Sequence, residues 1–109
     1  MADLTVQVIS LSGIVPSCAA AAVGGDAFLN SGREYFHVKN GSAASINATL
    51  NSVAACNQGF DHDAVVAVAA GAEKLIGPFP KARFNDAAEK VQVTYSGVTT
   101  VTVAAVRLP

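Results

Sequence analysis

The chain has 109 residues, of which 51% are hydrophobic and only 14% charged, and its formal net charge at pH 7 is −1. This length suits one domain with a single core, and the longest apolar runs are far shorter than the roughly 20 residues that span a bilayer. The few Lys and Arg residues form no basic cluster, so neither a membrane nor a nucleic acid is expected as a partner.

The first predicted element is an extended arm. Leu4, Val6 and Val8 alternate with more polar positions, and a period of two is typical of a strand with one apolar face. A Ser-Gly pair and a proline then interrupt the pattern, because proline cannot donate to a strand ladder. We therefore predict a detachable N-terminal arm over residues 1–12 and a single β-sandwich domain over residues 13–109.

Short strands separated by turns are predicted along the rest of the chain. With the first element, they cover residues 4–9, 26–29, 34–40, 45–52, 64–70, 72–77, 91–95 and 99–107, and residues 17–23 are also expected to be extended. Asn40-Gly41 is a strong hairpin signal before the strand at 45–52. Residues 85–90 are polar enough to form one helical turn. In the last strand the apolar phase shifts near Ala104-Ala105, which indicates a bulge or a change of sheet.

This pattern predicts the fold class. About eight short strands with turn signals every 8 to 12 residues are typical of an all-β protein, either a β-sandwich or a jelly roll. The core should be thin, because Ala and Val make up much of the apolar fraction and Trp is absent.

Metal-binding residue types occur without a metal-binding pattern. Asp61-His62-Asp63 has suitable ligands, but neighbouring residues of a strand point to opposite faces, so we interpret this motif as a solvated loop that touches a partner. The spacing of Cys18, His37, Cys56 and His62 matches no zinc pattern. Two cysteines do not form a disulfide scaffold, so we expect free thiols and neither metal nor cofactor.

Catalytic motifs are also missing from the sequence. It contains no Gly-x-Ser-x-Gly elbow, dinucleotide fingerprint or phosphate-binding loop. Glu34, Glu73 and Glu89 could meet as paired carboxylates, although carboxylates of this kind are more often surface charges. We therefore predict that the chain is not an enzyme. Its first residues lack the charged start and apolar core of a secretory signal, so we expect it to fold in a cytoplasm.

One loop has the composition of a binding site. Residues 78–86 contain two prolines that hold two aromatic rings and two cations in a preorganised segment, and preorganisation lowers the entropic cost of binding. Phe79, Arg83 and Phe84 belong to residue types enriched at interface hot spots. The alternative is that Phe79 and Phe84 close the end of the sandwich core. The loop and the apolar face of the arm are our candidate protein interfaces.

Several segments together indicate a family. Residues 59–63 read Gly-Phe-Asp-His-Asp, 71–73 Gly-Ala-Glu, 76–80 Ile-Gly-Pro-Phe-Pro, 83–86 Arg-Phe-Asn-Asp and 91–98 Val-Gln-Val-Thr-Tyr-Ser-Gly-Val. Across nearly its whole length the chain resembles small proteins encoded among the head genes of tailed bacteriophages. The resemblance implies a capsid cement, or head-decoration, protein: a β-rich structural virion protein, often a homotrimer, bound to the outer surface of the expanded shell at junctions between capsomers.

The resemblance also implies partners and a location. The partners are the major capsid protein of a tailed phage and further copies of this chain, and the location is the outer surface of the capsid after synthesis in the bacterial host cytoplasm. The low charge and the extended arm fit attachment by strand addition to a neighbour's sheet edge. The alternatives are a phage tail, neck or fibre component and a soluble ligand-binding β-sandwich. Sparse aromatic residues argue against sugar stacking.

Overall fold

Strands dominate the part of the chain that the computed structural model describes, residues 2–53 and 63–108. Within these ranges the elements are β1 (Ala2–Asp3), β2 (Val6–Val8), β3 (Ala19–Ala20), β4 (Asp26–Leu29), β5 (Glu34–Asn40), β6 (Ile46–Leu50), β7 (Ala64–Val68), β8 (Glu73–Ile76), α1 (Lys81–Phe84), β9 (Lys90–Tyr95) and β10 (Val101–Arg107). The all-β prediction is confirmed. No helix in these ranges is long and apolar enough to cross a membrane.

The strands form two packed sheets. Sheet I has the order β1-β4-β9-β6-β7, and sheet II has the order β2-β10-β5-β8, with β3 beside the first half of β10. From β3 onwards, consecutive strands lie in opposite sheets, except for β6 and β7, which pair with each other. This alternation is the connectivity of a jelly roll, in which the chain crosses between two sheets.

Alternating side chains explain how the core is built. In β5, Phe36 and Val38 are buried while Tyr35, His37 and Lys39 face outwards, as the period of two predicts. Facing strands of sheet I supply the opposing side chains. The buried cluster consists mainly of Phe28, Phe36, Val38, Ile46, Leu50, Val68, Val91, Val93, Val101 and Val103. A sandwich of small aliphatic residues around a few stacked rings is thin, as the composition predicts.

The hairpin predicted at Asn40-Gly41 is wrong, because β5 and β6 lie in different sheets. The Asn40 side chain is buried and organises the crossing: its amide donates to the carbonyl oxygens of Ala44 at 2.8 Å and Val68 at 3.0 Å. A Cβ atom on Gly41 would lie 3.0 Å from Thr100. Asn40 therefore supplies a buried amide, and Gly41 lets two connections approach closely. The pair does not form a two-residue turn.

The bulge or change of sheet predicted in β10 is also wrong. Its antiparallel register with β5 is unbroken from Val101↔Asn40 to Arg107↔Glu34. The apolar phase changes because the second half of β10 is covered on both faces, with Val106 on the outside beside Ile9 and Ile14. A strand that is buried on both sides loses the alternation seen in half-buried strands.

The helical turn predicted over residues 85–90 is wrong as well, since the helical turn is α1, four residues earlier. Residues 85–90 instead form a tight turn around Asp86, whose carboxylate accepts hydrogen bonds from the backbone N–H groups of Ala88 at 2.8 Å and Lys90 at 3.0 Å. The hydrogen bond from the Gln92 side chain, followed by that from the Lys90 backbone, lowers the pKa of Asp86.

Candidate protein-binding surface

The structure places the N-terminal segment, residues 2–8, on the chain's own domain. β1 pairs in parallel with β4, and β2 pairs in parallel with β10, so the segment runs from the edge of sheet I to the edge of sheet II. Leu4 and Val6 are half-buried against the core. Of the three arm candidates, Val8 is the most open to a partner, with 41% of its surface exposed.

Polar contacts fasten the same segment. The Gln7 side-chain amide exchanges two hydrogen bonds with the backbone of Ser17, each 2.8 Å long. Lys90 Nζ lies 2.9 Å from the Asp3 carboxylate, although a pair this exposed contributes little to stability. The described arm thus lies along the sandwich, and its release would break pairing in both sheets.

The two aromatic candidates of the 78–86 loop are core residues. Phe79 is 2% exposed and Phe84 is 4% exposed. Their ring centroids are 5.4 Å apart in an edge-to-face arrangement, and Phe79 lies 5.7 Å from Phe28. Both rings are therefore core residues, contrary to their interpretation as surface hot spots. A ring buried against the core stabilises the fold more than a ring in an exposed loop does, and these two rings close the end of the sandwich.

Arg83 is the accessible candidate in this loop. Its guanidinium carbon lies 4.8 Å from the centroid of the Phe84 ring, and the residue is exposed. Asn30 and Asn85 lock the loop to the domain, since the Asn30 amide donates to Phe79 O at 3.0 Å and to Asn85 Oδ1 at 2.7 Å. The loop is thus held rigidly, with Arg83 on its outside.

Both sheets carry accessible side chains on their outer faces. Sheet I presents Asn47, Thr49, Gln92 and Thr94 outwards, together with the exposed aliphatic residues Leu29 and Val65. The outward side chains of sheet II include Tyr35, His37, Leu75 and Val106, which share a face by their register. We call this the sheet II face, together with residues 9–16 and Leu108, which border it. Charge appears at both ends: Lys39 lies opposite Glu73 in the strand register, and Arg33 lines the larger groove.

Two adjoining apolar grooves cross the sheet II face. One has a volume of about 290 Å³ and lies under Ile9, Ile14 and Pro16. The other, of about 470 Å³, lies beside Pro78 and Leu108. Tyr35 and Leu75 line both grooves and form the ridge between them. Sequence reasoning missed this surface, although adjacent apolar residues in β8 and β10, which place apolar side chains on both faces of these strands, were its signal.

A half-buried tyrosine and a buried carboxylate stabilise the opposite sheet. The Tyr95 hydroxyl donates to Asp26 Oδ2 at 2.6 Å, and the same oxygen accepts from Ala22 N at 3.3 Å. Burial, followed by the hydrogen bond to Asp26, raises the pKa of Tyr95. This pair ties the connection before β4 to β9 and has a structural role.

The other titratable candidates are dispersed. Glu34 is buried, and its carboxylate accepts from Ser31 N and Ser31 Oγ at 2.8 Å, so it is a turn-stabilising group and not a surface charge. Glu73 Oε2 lies 3.6 Å from His37 Nε2, and Glu89 is exposed in the turn before β9. Residues 2–53 and 63–108 hold no cluster of three or more His, Cys, Asp or Glu that could bind a metal ion.

Some predicted groups fall outside the described residues. Cys18 is a free thiol in the structure, whereas Cys56, Asp61 and His62 lie in the part of the chain that the structure does not describe. Asp63 is described, and its carboxylate accepts from Ser52 N at 2.7 Å. The metal and disulfide expectations for those three residues stay predictions.

No protein-family model, curated protein or solved structure shows significant similarity to the chain. The sheet II face and the accessible positions Val8 and Arg83 are the features from which a function can be argued.

Proposed function

We propose that this chain is a capsid cement protein, a structural virion protein that binds the outer surface of a tailed-phage capsid and stabilises the contacts between capsomers. The observation that carries the proposal is the apolar sheet II face with its large exposed aliphatic side chains. A contiguous apolar patch of this kind on a small domain marks a protein-interaction site. The sequence resemblance described above supplies the identity of the partner.

The architecture supports the proposal by analogy. Two-sheet jelly rolls recur in viral capsid and lectin domains, although a fold hosts many functions and the argument must come from the surface. On that surface the two adjoining apolar grooves lie on sheet II, whereas sheet I mixes polar side chains with exposed Leu29 and Val65. The grooves offer a protein neighbour a place for its apolar side chains.

The N-terminal segment and Arg83 are the proposed attachment points outside the sheet II face. Leu4 and Val6 are half-buried against this chain's own core, and full burial of one aliphatic side chain contributes roughly 1.5 to 3 kcal/mol. Donation of this strand to a neighbour would first lose part of that energy. We therefore assign the shell contact in this region to the exposed Val8 and not to release of the whole arm.

Shell binding tests the proposed function. The purified protein is mixed with expanded shells of the phage whose head genes flank its own gene, and bound protein is measured by co-sedimentation and located by electron microscopy. Saturable binding at regular positions on the shell surface is the expected result. Binding at the tail or neck alone, or no binding to shells, would overturn the cement function.

Two point variants test the attachment residues without disturbing the core. Val8→Asp and Arg83→Ala should each weaken shell binding while they retain the thermal transition of the wild type. Val65→Lys changes a comparably exposed aliphatic residue on β7 of sheet I and serves as the control. Deletion of residues 2–8 is less informative, because both sheets lose an edge strand and stability falls with binding.

We also propose that the protein forms a homotrimer, as the resemblance implies. The low charge content and the exposed aliphatic surface support self-association, because association buries apolar area that a thin domain cannot cover by itself. Sedimentation equilibrium at micromolar concentration should give three times the monomer mass. A monomer at that concentration would contradict this part of the proposal and leave shell binding to its own test.

A further inference from the structure

We infer that the sheet II face binds a second copy of this chain, with aliphatic side chains of the 9–16 loop from one copy seated in the grooves of the next. The inference deepens the self-association within the proposed function. It is independent of the shell, because the binding of two copies can be measured in solution without a capsid.

The exposed area fits a specific interface. On the sheet II face and its border, Leu11 is 110% exposed, Val15 92%, Leu75 65% and Leu108 52%. Together they equal roughly three fully exposed aliphatic side chains, or about 300 Å² at about 100 Å² each. That is more than a third of the roughly 800 Å² that each partner contributes to a standard interface.

Projections and recesses occur on the same molecule. In the 9–16 loop, Ile14 and Pro16 line the smaller groove and Ile14 is half-buried, whereas Val15 between them is 92% exposed. Leu11 lies in a turn closed by the hydrogen bond from Gly13 N to Ser10 O, 2.9 Å long. The larger groove lies on the other side of the ridge formed by Tyr35 and Leu75. A projection and a recess on different parts of one surface generate a head-to-tail contact, which closes into a ring when the rotation between neighbouring copies allows it.

Charge does not oppose this contact. Residues 9–16 contain no charged side chain, so the loop itself brings no charge into a groove, and the charged side chain that lines the larger groove is Arg33. Lys39 and Glu73, at one end of the face, have opposite signs and pair across neighbouring strands. Two copies can therefore approach without placing like charges against each other.

Two matched substitutions test the inference. Leu75→Lys places a charge on the ridge, and Val65→Lys places the same charge on β7 of sheet I, where the aliphatic side chain is similarly exposed at 59%. By sedimentation equilibrium we expect Leu75→Lys to raise the dissociation constant of the oligomer by roughly thirtyfold or more, equivalent to about 2 kcal/mol. Val65→Lys should leave it unchanged.

A third variant guards against misfolding. Leu11→Ser alters a fully exposed side chain that contributes nothing to the core, so it should keep the wild-type thermal transition and still weaken association. Oligomers that persist in both Leu75→Lys and Leu11→Ser would overturn the inference and leave self-association standing. If Leu75→Lys loses shell binding but still associates, the sheet II face binds the capsid, and the inference that it binds a second copy is also overturned. A wild type that is monomeric would remove both the inference and the proposed trimer.

Discussion

Replacement of Phe79 distinguishes a core ring from a binding residue. Phe79→Ala removes a ring that is 2% exposed and packs against Phe28 and Phe84. Deletion of a buried phenylalanine side chain costs about 3 to 5 kcal/mol, because transfer energy is lost and a cavity remains. A domain of this size has roughly 5 to 15 kcal/mol of stability in total, so we expect the melting temperature to fall by roughly 12 to 20 °C.

Arg83→Ala is the matched control in the same loop. Its guanidinium contacts the Phe84 ring from outside, and an exposed cation–π contact contributes about 0.5 to 1 kcal/mol. Differential scanning calorimetry and urea unfolding of both variants give the comparison. A Phe79→Ala protein with the wild-type melting temperature would refute the core assignment and return the ring to the candidate interface.

Three further predictions concern buried or tightly packed groups. Tyr95→Phe should lower the unfolding free energy by about 1 to 3 kcal/mol in urea, because buried Asp26 loses its shortest donor. Since the pKa of Tyr95 is raised in the folded protein, that stabilisation is fully present below the ordinary tyrosine pKa of about 10 and is lost as the pH rises above it, which unfolding in alkaline buffers will check. Asp86 has a lowered pKa, so its contribution is present above about pH 4 and is lost as the pH falls through its folded pKa; the cost of Asp86→Ala, about 1 kcal/mol at pH 7, should shrink in urea unfolding near pH 3. Gly41→Ala brings a Cβ to 3.0 Å from Thr100, and we expect calorimetry to show a loss of about 1 to 3 kcal/mol.

Local alternation was enough to predict the long strands. β5 has the predicted bounds because Phe36 and Val38 alternate with Tyr35 and His37, and such a pattern depends only on neighbours in the chain. β1 and β3 were harder, because each has two residues. Their pairing is set by partners far along the chain, with β1 beside β4 and β3 beside β10. No local pattern encodes that pairing.

The sequence-based interpretations of Phe79, Phe84 and Asn40 differ from the structure for one physical reason. Phe79 and Phe84 look exposed in a proline-rich loop, yet the end of the core lacks a cover until the loop folds over it. Asn40 looks like a turn residue, yet its amide meets carbonyls of residues 44 and 68. In each case the decisive contact joins segments that are distant in sequence, and composition alone cannot specify which segments meet.

The parallel pairing of β2 with β10 gives the domain a particular response to mechanical load. Val6–Val8 and Ala105–Arg107 run side by side in the same direction, so tension applied between residues just before β2 and just after β10 slides the two strands past each other. In that shear geometry all the backbone hydrogen bonds of the pair bear load together, whereas a hairpin pulled at its open end loses them one at a time. Forced unfolding is governed by the unfolding barrier, and a clamp at this position raises that barrier for tension applied along the two strands.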